Sequence, residues 1–179
     1  DITPTEVYRR LPQEIPKTTL PGGDMVEQAY ARIKQAGYTK VLAINLSGGL
    51  SGTGNLVRLI GEQTVGLEVA AFDTMSGSLG IGMTVLQAAR WIEEGWSWSE
   101  LLRAIPALMR DTHVFFCVDT LEYLRKGGRI GKIAAVAGTL LQIKPIISFA
   151  PDGELTSVAK IRGRKAAMQK MVQLATALV

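Results

Sequence analysis

Short apolar runs and longer amphipathic stretches alternate along the first two thirds of the chain. The run at residues 41–44 is continuously apolar and bounded by polar residues, which is typical of a strand covered on both faces. Further strands are predicted at residues 67–72 and 113–118, each followed by a polar loop. Helices are predicted between the strands, so the order strand, loop, helix repeats. This order predicts a parallel sheet with right-handed crossovers.

Capping residues mark where several helices begin and end. Thr3 is at the N-cap position, Pro4 is at the first helical position, and Glu6 follows the cap by three residues. This pattern predicts a short helix up to residue 11. A second helix begins near Asp24, and Gly37 supplies its end. The remaining helices of this part are predicted at residues 55–63, 80–94 and 97–109, the last one opened by a capping box.

The pattern changes after Gly131. A helix of small residues is predicted at 132–141, followed by strands at 144–149 and 155–161 and a final helix. The sequence Pro-Asp-Gly between the two strands predicts a hairpin.

The predicted fold class is α/β with two domains. Residues 1–115 form a first domain with a mainly parallel sheet flanked by helices, and residues 116–179 form the start of a smaller, mixed second domain. Both domains are expected to be incomplete in this chain, and the missing strands and helices would leave apolar edges exposed.

Composition restricts the class of protein. With 179 residues, of which 47% are hydrophobic, the chain can form a real core. Its single cysteine, Cys117, lies in an apolar run and excludes an internal disulfide framework, which favours a cytoplasmic location. No signal peptide or membrane-spanning run is recognised, so stable membrane insertion is not expected. The net charge of +4 invites a nucleic-acid interpretation, but no zinc-finger or RNA-binding motif supports it.

A glycine-rich loop at residues 47–54, Ser-Gly-Gly-Leu-Ser-Gly-Thr-Gly, follows the first strand and opens a helix. Exposed main-chain N–H groups and the helix N-terminus favour an anion there. The loop lacks both the Walker A and the dinucleotide-binding spacing, so a carboxylate or a single phosphate is the expected group. A tight turn without a ligand is the alternative.

Hydroxyl groups occur in two further loops. Thr18 and Thr19 precede a proline, and Ser76 and Ser78 follow the second strand. Loops at the carboxyl ends of neighbouring parallel strands converge on one crevice, so Ser47 and Ser76 are candidate ligands. The alternatives are local turns for the threonines, and capping of the helix from residue 80 by Asp73.

Basic residues cluster late in the chain. Arg125, Arg129 and Arg162 are candidates for contact with an acidic or phosphate-bearing partner. Capping of a helix end explains Arg125 equally well, and a solvated charge run explains Arg162. No catalytic residue and no metal ligand is predicted, because His113 is the single histidine and no nucleophile has an evident base.

A series of short motifs resembles the DegV family over essentially the whole chain. The motifs are Pro-Lys-Thr-Thr-Leu-Pro at 16–21, Leu-Ser-Gly-Thr at 50–53, Asp-Thr at 73–74, Leu-Glu-Tyr-Leu-Arg-Lys-Gly-Gly-Arg-Ile at 121–130, Lys-Pro-Ile at 144–146 and Lys-Ile-Arg-Gly at 160–163. Their order makes the resemblance specific.

The resemblance implies a carrier that buries a long-chain fatty acid, such as palmitate or oleate, between two α/β domains. It also implies that a separate, ATP-using catalytic protein of a bacterial fatty-acid kinase phosphorylates the carboxylate, and that the carrier itself is no enzyme and needs no cofactor. By resemblance, Thr18 and the trio Ser51, Gly52 and Thr53 hold the carboxylate. The family usually has a second serine where this chain has Gly48.

A phosphate-binding or phosphotransfer enzyme subunit is the alternative function.

Overall fold

The computed structural model describes residues 2–136 and 143–178, which form helices and two small sheets. In chain order the elements are α1 (Pro4–Arg10), α2 (Gly23–Gln35), β1 (Lys40–Asn45), α3 (Thr53–Gln63), β2 (Glu68–Asp73), α4 (Leu79–Glu93), α5 (Trp98–Asp111), α6 (Glu122–Lys126), a 3₁₀ helix (Gly131–Val136), β3 (Ile143–Phe149), β4 (Leu155–Arg162) and α7 (Arg164–Thr176). The predicted α/β class is confirmed.

The chain divides into two compact units. The loop unit comprises Leu20–Phe115 and Ser148–Glu154, and the terminal unit comprises Asp1–Thr19, Phe116–Ile147 and Leu155–Val179. Both this grouping and the predicted domains have a break after residue 115, but residues 1–19 and 148–154 are grouped differently. The division into two functional domains stays a prediction.

In the loop unit, β1 and β2 form a parallel pair, in register from Lys40 beside Glu68 to Asn45 beside Asp73. The capping box predicted for α5 is present, with Ser97 and Glu100 each accepting from the main chain of the other. The core cluster contains Ala88, Leu101 and Ile105, and the packed residues around it are Leu42, Ile44, Phe72, Trp91, Trp98 and Met109.

The predicted third parallel strand at residues 113–118 is wrong. This segment makes an isolated antiparallel bridge, in which Phe116 and Ile147 exchange main-chain hydrogen bonds of 3.0 and 2.8 Å. Because an apolar run indicates burial but not a pairing partner, its sequence could not distinguish the two arrangements.

In the terminal unit, β3 and β4 pair as the predicted hairpin. Ile133, Ile146 and Ile147 are fully buried there. The helix predicted at 132–141 is a 3₁₀ helix over Gly131–Val136, and the rest of that prediction lies outside the described residues. Gly131 has a φ of +52°, and a Cβ there would lie 2.7 Å from the carbonyl oxygen of Leu155, so β4 passes too close for a larger residue.

Within residues 2–136 and 143–178, no helix has the length and apolar character needed to cross a membrane.

Candidate functional site

The loops that follow β1 and β2 lie against each other. The main-chain N–H of Ser47 donates to the carbonyl of Ser76 at 2.9 Å, and the Thr74 hydroxyl donates to the carbonyl of Asn45 at 2.7 Å. The register of β1 with β2 causes this contact, because both strands end at the same edge. The predicted convergence of the two loops is confirmed.

Ser47 connects the glycine loop to the turn of the hairpin. Its side chain is fully buried, donates to the carbonyl of Gly153 at 2.7 Å and accepts from the N–H of Gly49 at 3.2 Å. A hydroxyl has a single proton to donate. In this geometry Ser47 therefore has no proton left for a ligand carboxylate.

Close main-chain approach explains two glycines of this contact. A Cβ at Gly49 would lie 2.5 Å from the carbonyl carbon of Gly153. Gly153 itself has a φ of +78°, and a Cβ there would lie 2.1 Å from the Ser47 hydroxyl oxygen. The glycine loop is thus fitted to the hairpin turn of the same unit.

Asp73 occupies one N–H group of the glycine loop. Its Oδ2 accepts from the N–H of Gly48 at 3.0 Å, and its Oδ1 accepts from the N–H of Met75 at 2.9 Å. The predicted alternative for Asp73 is wrong, because α4 has Ser78 as its N-cap residue and lacks a side-chain cap bond. A Cβ at Gly48 would lie 2.5 Å from Asp73 Oδ2, so the carboxylate stands where a serine side chain would begin.

Ser51 and Thr53 form a hydroxyl pair at the start of α3. Their oxygens lie 2.9 Å apart, and the N–H of Thr53 donates to Ser51 Oγ at 3.3 Å. One hydroxyl proton lies between the two oxygens, so the pair has one more proton to donate outward. Ser51 and Gly52 line a cleft of about 230 Å³, together with Arg58 and Asp73.

Ser76 lines a larger cavity of about 720 Å³ that lies wholly within the loop unit. The residue is 6% exposed, and its hydroxyl makes no hydrogen bond to any other residue that the structure describes. No buried side-chain nitrogen or oxygen atom lacks a hydrogen-bond partner in the described part of the chain, so the Ser76 hydroxyl oxygen is accessible from the cavity and can donate to a ligand or to water. The apolar part of the wall includes Pro106, Met109, Val114, Phe149, Ala150 and Pro151.

The terminal unit contains four of the predicted site residues, which are Thr18, Arg125, Arg129 and Arg162. The loop unit contains the other five, which are Ser47, Ser51, Gly52, Thr53 and Ser76. Thr18 is exposed, and its hydroxyl forms no hydrogen bond within the described part of the chain, so the predicted local turn is not observed. Arg125, Arg129 and Arg162 are exposed as well. Arg129 Nη1 donates to the carbonyl of Gly127 at 2.6 Å.

Some late basic residues have structural partners. Lys126 pairs with Glu122 at 2.6 Å, and Arg164 Nη1 lies 2.9 Å from Asp119 Oδ1. The hydrogen bond from Arg164, with the charge of Lys144 beside it, holds the pKa of Asp119 below its usual range. The helix-end explanation predicted for Arg125 is confirmed, because Arg125 and Lys126 lie in the last turn of α6 before Gly127.

Several residues of the cavity wall were not predicted from the sequence. Arg110, His113 and Ser148 line it, but nothing in their local sequence indicated this. Arg110 looks like an ordinary cation in the last turn of a helix, and His113 begins a predicted strand. Among the described residues, no group of three or more His, Cys, Asp or Glu side chains is arranged to hold a metal ion.

A family model described as an uncharacterised protein of the DegV family matches residues 1–178. A DegV domain-containing protein of Clostridium acetobutylicum is 39% identical over 175 residues, which cover 98% of this chain and 62% of that protein. The chain thus spans less than two thirds of the length of this relative.

Solved structures agree with the family match. A DegV family protein from Thermus thermophilus, described as fatty-acid binding, has 35% identity and a TM-score of 0.89, with 99% of this chain and 63% of that one covered. A stearic-acid-binding protein from Eubacterium ventriosum has 28% identity and a TM-score of 0.87, with 99% and 62% covered.

Proposed function

Because this chain belongs to the DegV family, we propose that it binds a long-chain fatty acid such as palmitate or oleate, with the acyl chain in the 720 Å³ cavity of the loop unit. The observation that carries this proposal is the combination, in one cavity, of an apolar wall with the unpartnered Ser76 hydroxyl. Fatty-acid binding by the Thermus thermophilus relative and stearic-acid binding by the Eubacterium ventriosum relative support the ligand class.

The acyl chain and the head group contribute differently to binding. Each CH₂ that leaves water contributes about 0.8 kcal/mol, so the apolar wall supplies most of the affinity. Hydroxyl donors then orient the head group, and their hydrogen bonds to a charged carboxylate are short and strong. We propose Ser76 as a carboxylate ligand, because it lines this cavity. The family resemblance adds Thr18, Ser51, Gly52 and Thr53 as proposed ligands, although Ser51 and Gly52 line the 230 Å³ cleft. Ser47 serves this site by holding the glycine loop in place.

Co-purified lipid tests the ligand class most directly. Native mass spectrometry of the gently purified protein is expected to detect a bound fatty acid, and calorimetry is expected to detect palmitate binding after delipidation. Protein that carries no lipid and takes up neither palmitate nor oleate contradicts the proposal.

Two variants test the proposed head-group ligands. Thr18→Val and Ser51→Ala should each weaken palmitate binding while the unfolding midpoint is retained. Thr5→Val is the control for Thr18→Val, because it makes the same change at another exposed threonine of the terminal unit. Unchanged affinity in both test variants would move the head group elsewhere.

The proposed carrier acts with a separate kinase in the cytoplasm. In that reaction a carboxylate oxygen attacks the γ-phosphorus of ATP, ADP leaves, and an acyl phosphate forms. Three exposed cations, Arg125, Arg129 and Arg162, are the proposed contacts with the kinase. With the catalytic protein of a fatty-acid kinase, Arg129→Ala and Arg162→Ala should slow acyl-phosphate formation without changing palmitate affinity. Equal rates for these variants and the Arg103→Ala control would contradict the assignment.

The phosphotransfer alternative receives less support from the glycine loop. The N–H groups of Gly48 and Gly49 already have acceptors in Asp73 and Ser47. Incubation of the protein alone with labelled ATP separates the two functions, since a carrier neither hydrolyses ATP nor becomes labelled.

A further inference from the structure

The wall of the 720 Å³ cavity carries charges of both signs. Asp73 contributes a carboxylate, and Arg110 contributes a guanidinium. His113 is the third titratable residue of this wall. These charged groups bear on the head group of the proposed ligand, because electrostatic forces are stronger beside an apolar wall than in bulk water.

The carboxylate of Asp73 is fixed by its hydrogen bonds. One oxygen accepts from the N–H of Gly48, and the other accepts from the N–H of Met75. Asp73 therefore cannot turn away from a ligand without breaking a contact between the two loops. A fatty-acid carboxylate placed against Asp73 would meet a like charge, so the cavity needs a compensating cation to prefer a charged head group.

Arg110 can supply that cation. It lies in the last turn of α5 and is exposed, and its guanidinium forms no ion pair or hydrogen bond within the described ranges. Its guanidinium can bind both oxygens of a carboxylate in one plane. The dipole of α5 explains why a cation is favourable at this helix end, but that interaction does not use the N–H donors of the Arg110 guanidinium.

We propose that Arg110 is a specificity-determining residue, which makes this cavity prefer a fatty acid over a fatty alcohol of equal chain length. The inference deepens the proposed function and rests on it. Ser76 can donate to either head group, because a neutral alcohol oxygen also accepts a hydrogen bond. The charge of Arg110 distinguishes the two.

The test compares two ligands and three variants. Palmitate and 1-hexadecanol compete with a fluorescent fatty acid for the full chain at low salt and pH 8, where most imidazoles are uncharged. Arg110→Gln removes the positive charge of Arg110 from the cavity wall, and Arg110→Lys retains a positive charge without the planar pair of donors. Arg103→Gln is the matched control, because Arg103 lies on the same helix, outside the cavity wall, and its Nε donates to the carbonyl of Ser99.

Arg110→Gln should weaken palmitate binding about fivefold, the upper end for a partly exposed ion pair, and leave hexadecanol binding within about twofold. Arg110→Lys should restore part of the palmitate affinity, and Arg103→Gln should change neither ligand. Added salt should weaken palmitate binding in the unsubstituted protein more than in Arg110→Gln.

Two results overturn the inference, and they differ from failure of the proposed function. If Arg110→Gln binds palmitate as tightly as the unsubstituted protein, or loses both ligands equally, Arg110 does not set head-group preference although the cavity still binds lipid. If the unsubstituted protein binds neither ligand, the proposed function fails and this inference fails with it.

Discussion

Two buried serines at the ends of neighbouring strands behave differently. Ser47 follows β1 and Ser76 follows β2, and they are 0% and 6% exposed. The Ser47 hydroxyl donates to Gly153, whereas the Ser76 hydroxyl lines a cavity without a partner among the described residues.

This difference separates structural from ligand-binding hydroxyls. Burial and residue type are nearly the same at both positions, so neither identifies the binding group. What separates them is whether the single donor proton is already used. Variants at each loop should therefore fall into two classes, with loss of stability around Ser47 and loss of binding at Ser76.

The largest expected effect is on stability, from Gly153→Ala. The new Cβ would lie 2.1 Å from Ser47 Oγ at a φ of +78°, so we expect about 3 kcal/mol of lost unfolding free energy from steric overlap and backbone strain. Gly37→Ala is the control, because Gly37 has a φ of +85° with nothing within 4 Å, and should lose about 1 kcal/mol. Urea denaturation measures both, and equal losses would mean that the contact with Ser47 is unimportant.

Ser47→Ala should have the next largest effect. It leaves the carbonyl of Gly153 without its hydroxyl donor in a buried place, which costs about 2 kcal/mol of unfolding free energy. Thr64→Val, which removes a half-exposed hydroxyl that donates to the carbonyl of Ile60, is the control and should cost less. If Ser47→Ala is as stable as the unsubstituted protein, Ser47 is available for ligand contact after all.

Ser76→Ala should give the opposite result. Its hydroxyl has no partner to lose, so the unfolding free energy should change by less than about 0.5 kcal/mol. Loss of a hydrogen bond to a charged head group should weaken palmitate binding about tenfold by calorimetry. Ser78→Ala, at an exposed serine of the same loop, should leave affinity unchanged. A stable, fully binding Ser76→Ala protein would remove the distinction between the two serines.

The smallest effect is expected at a third serine, Ser97, which lies outside the cavity and serves as a reference for the other two serines. Its hydroxyl caps α5, so Ser97→Ala should cost about 1 kcal/mol of stability without changing palmitate affinity. The hydrogen bond from Ser97 lowers the pKa of Glu100. The contribution of Glu100 is therefore present above its usual titration range and is lost as the pH falls through the lowered pKa. Acid titrations of stability should show a smaller loss in Ser97→Ala than in the unsubstituted protein.

Local chemistry allowed much of the fold to be predicted from sequence. The helix at Pro4–Arg10, the capping box of α5 and the hairpin turn were identified because the residues responsible lie within a few positions of one another. The convergence of the glycine loop with the loop after β2 followed from the parallel order of their strands. The motif order also identified the family.

The sequence by itself determined the alternation of strands and helices, the position of the glycine loop and the family, since periodicity, capping and motif order are local properties. Only the tertiary structure decided that residues 113–118 form a single bridge, that Asp73 occupies the N–H of Gly48, and that Arg110 joins the cavity wall. Ser47 illustrates the reason, because its hydroxyl donates to a carbonyl 106 residues away. Which buried hydroxyl remains open to a ligand depends on such distant partners, and no local pattern contains them.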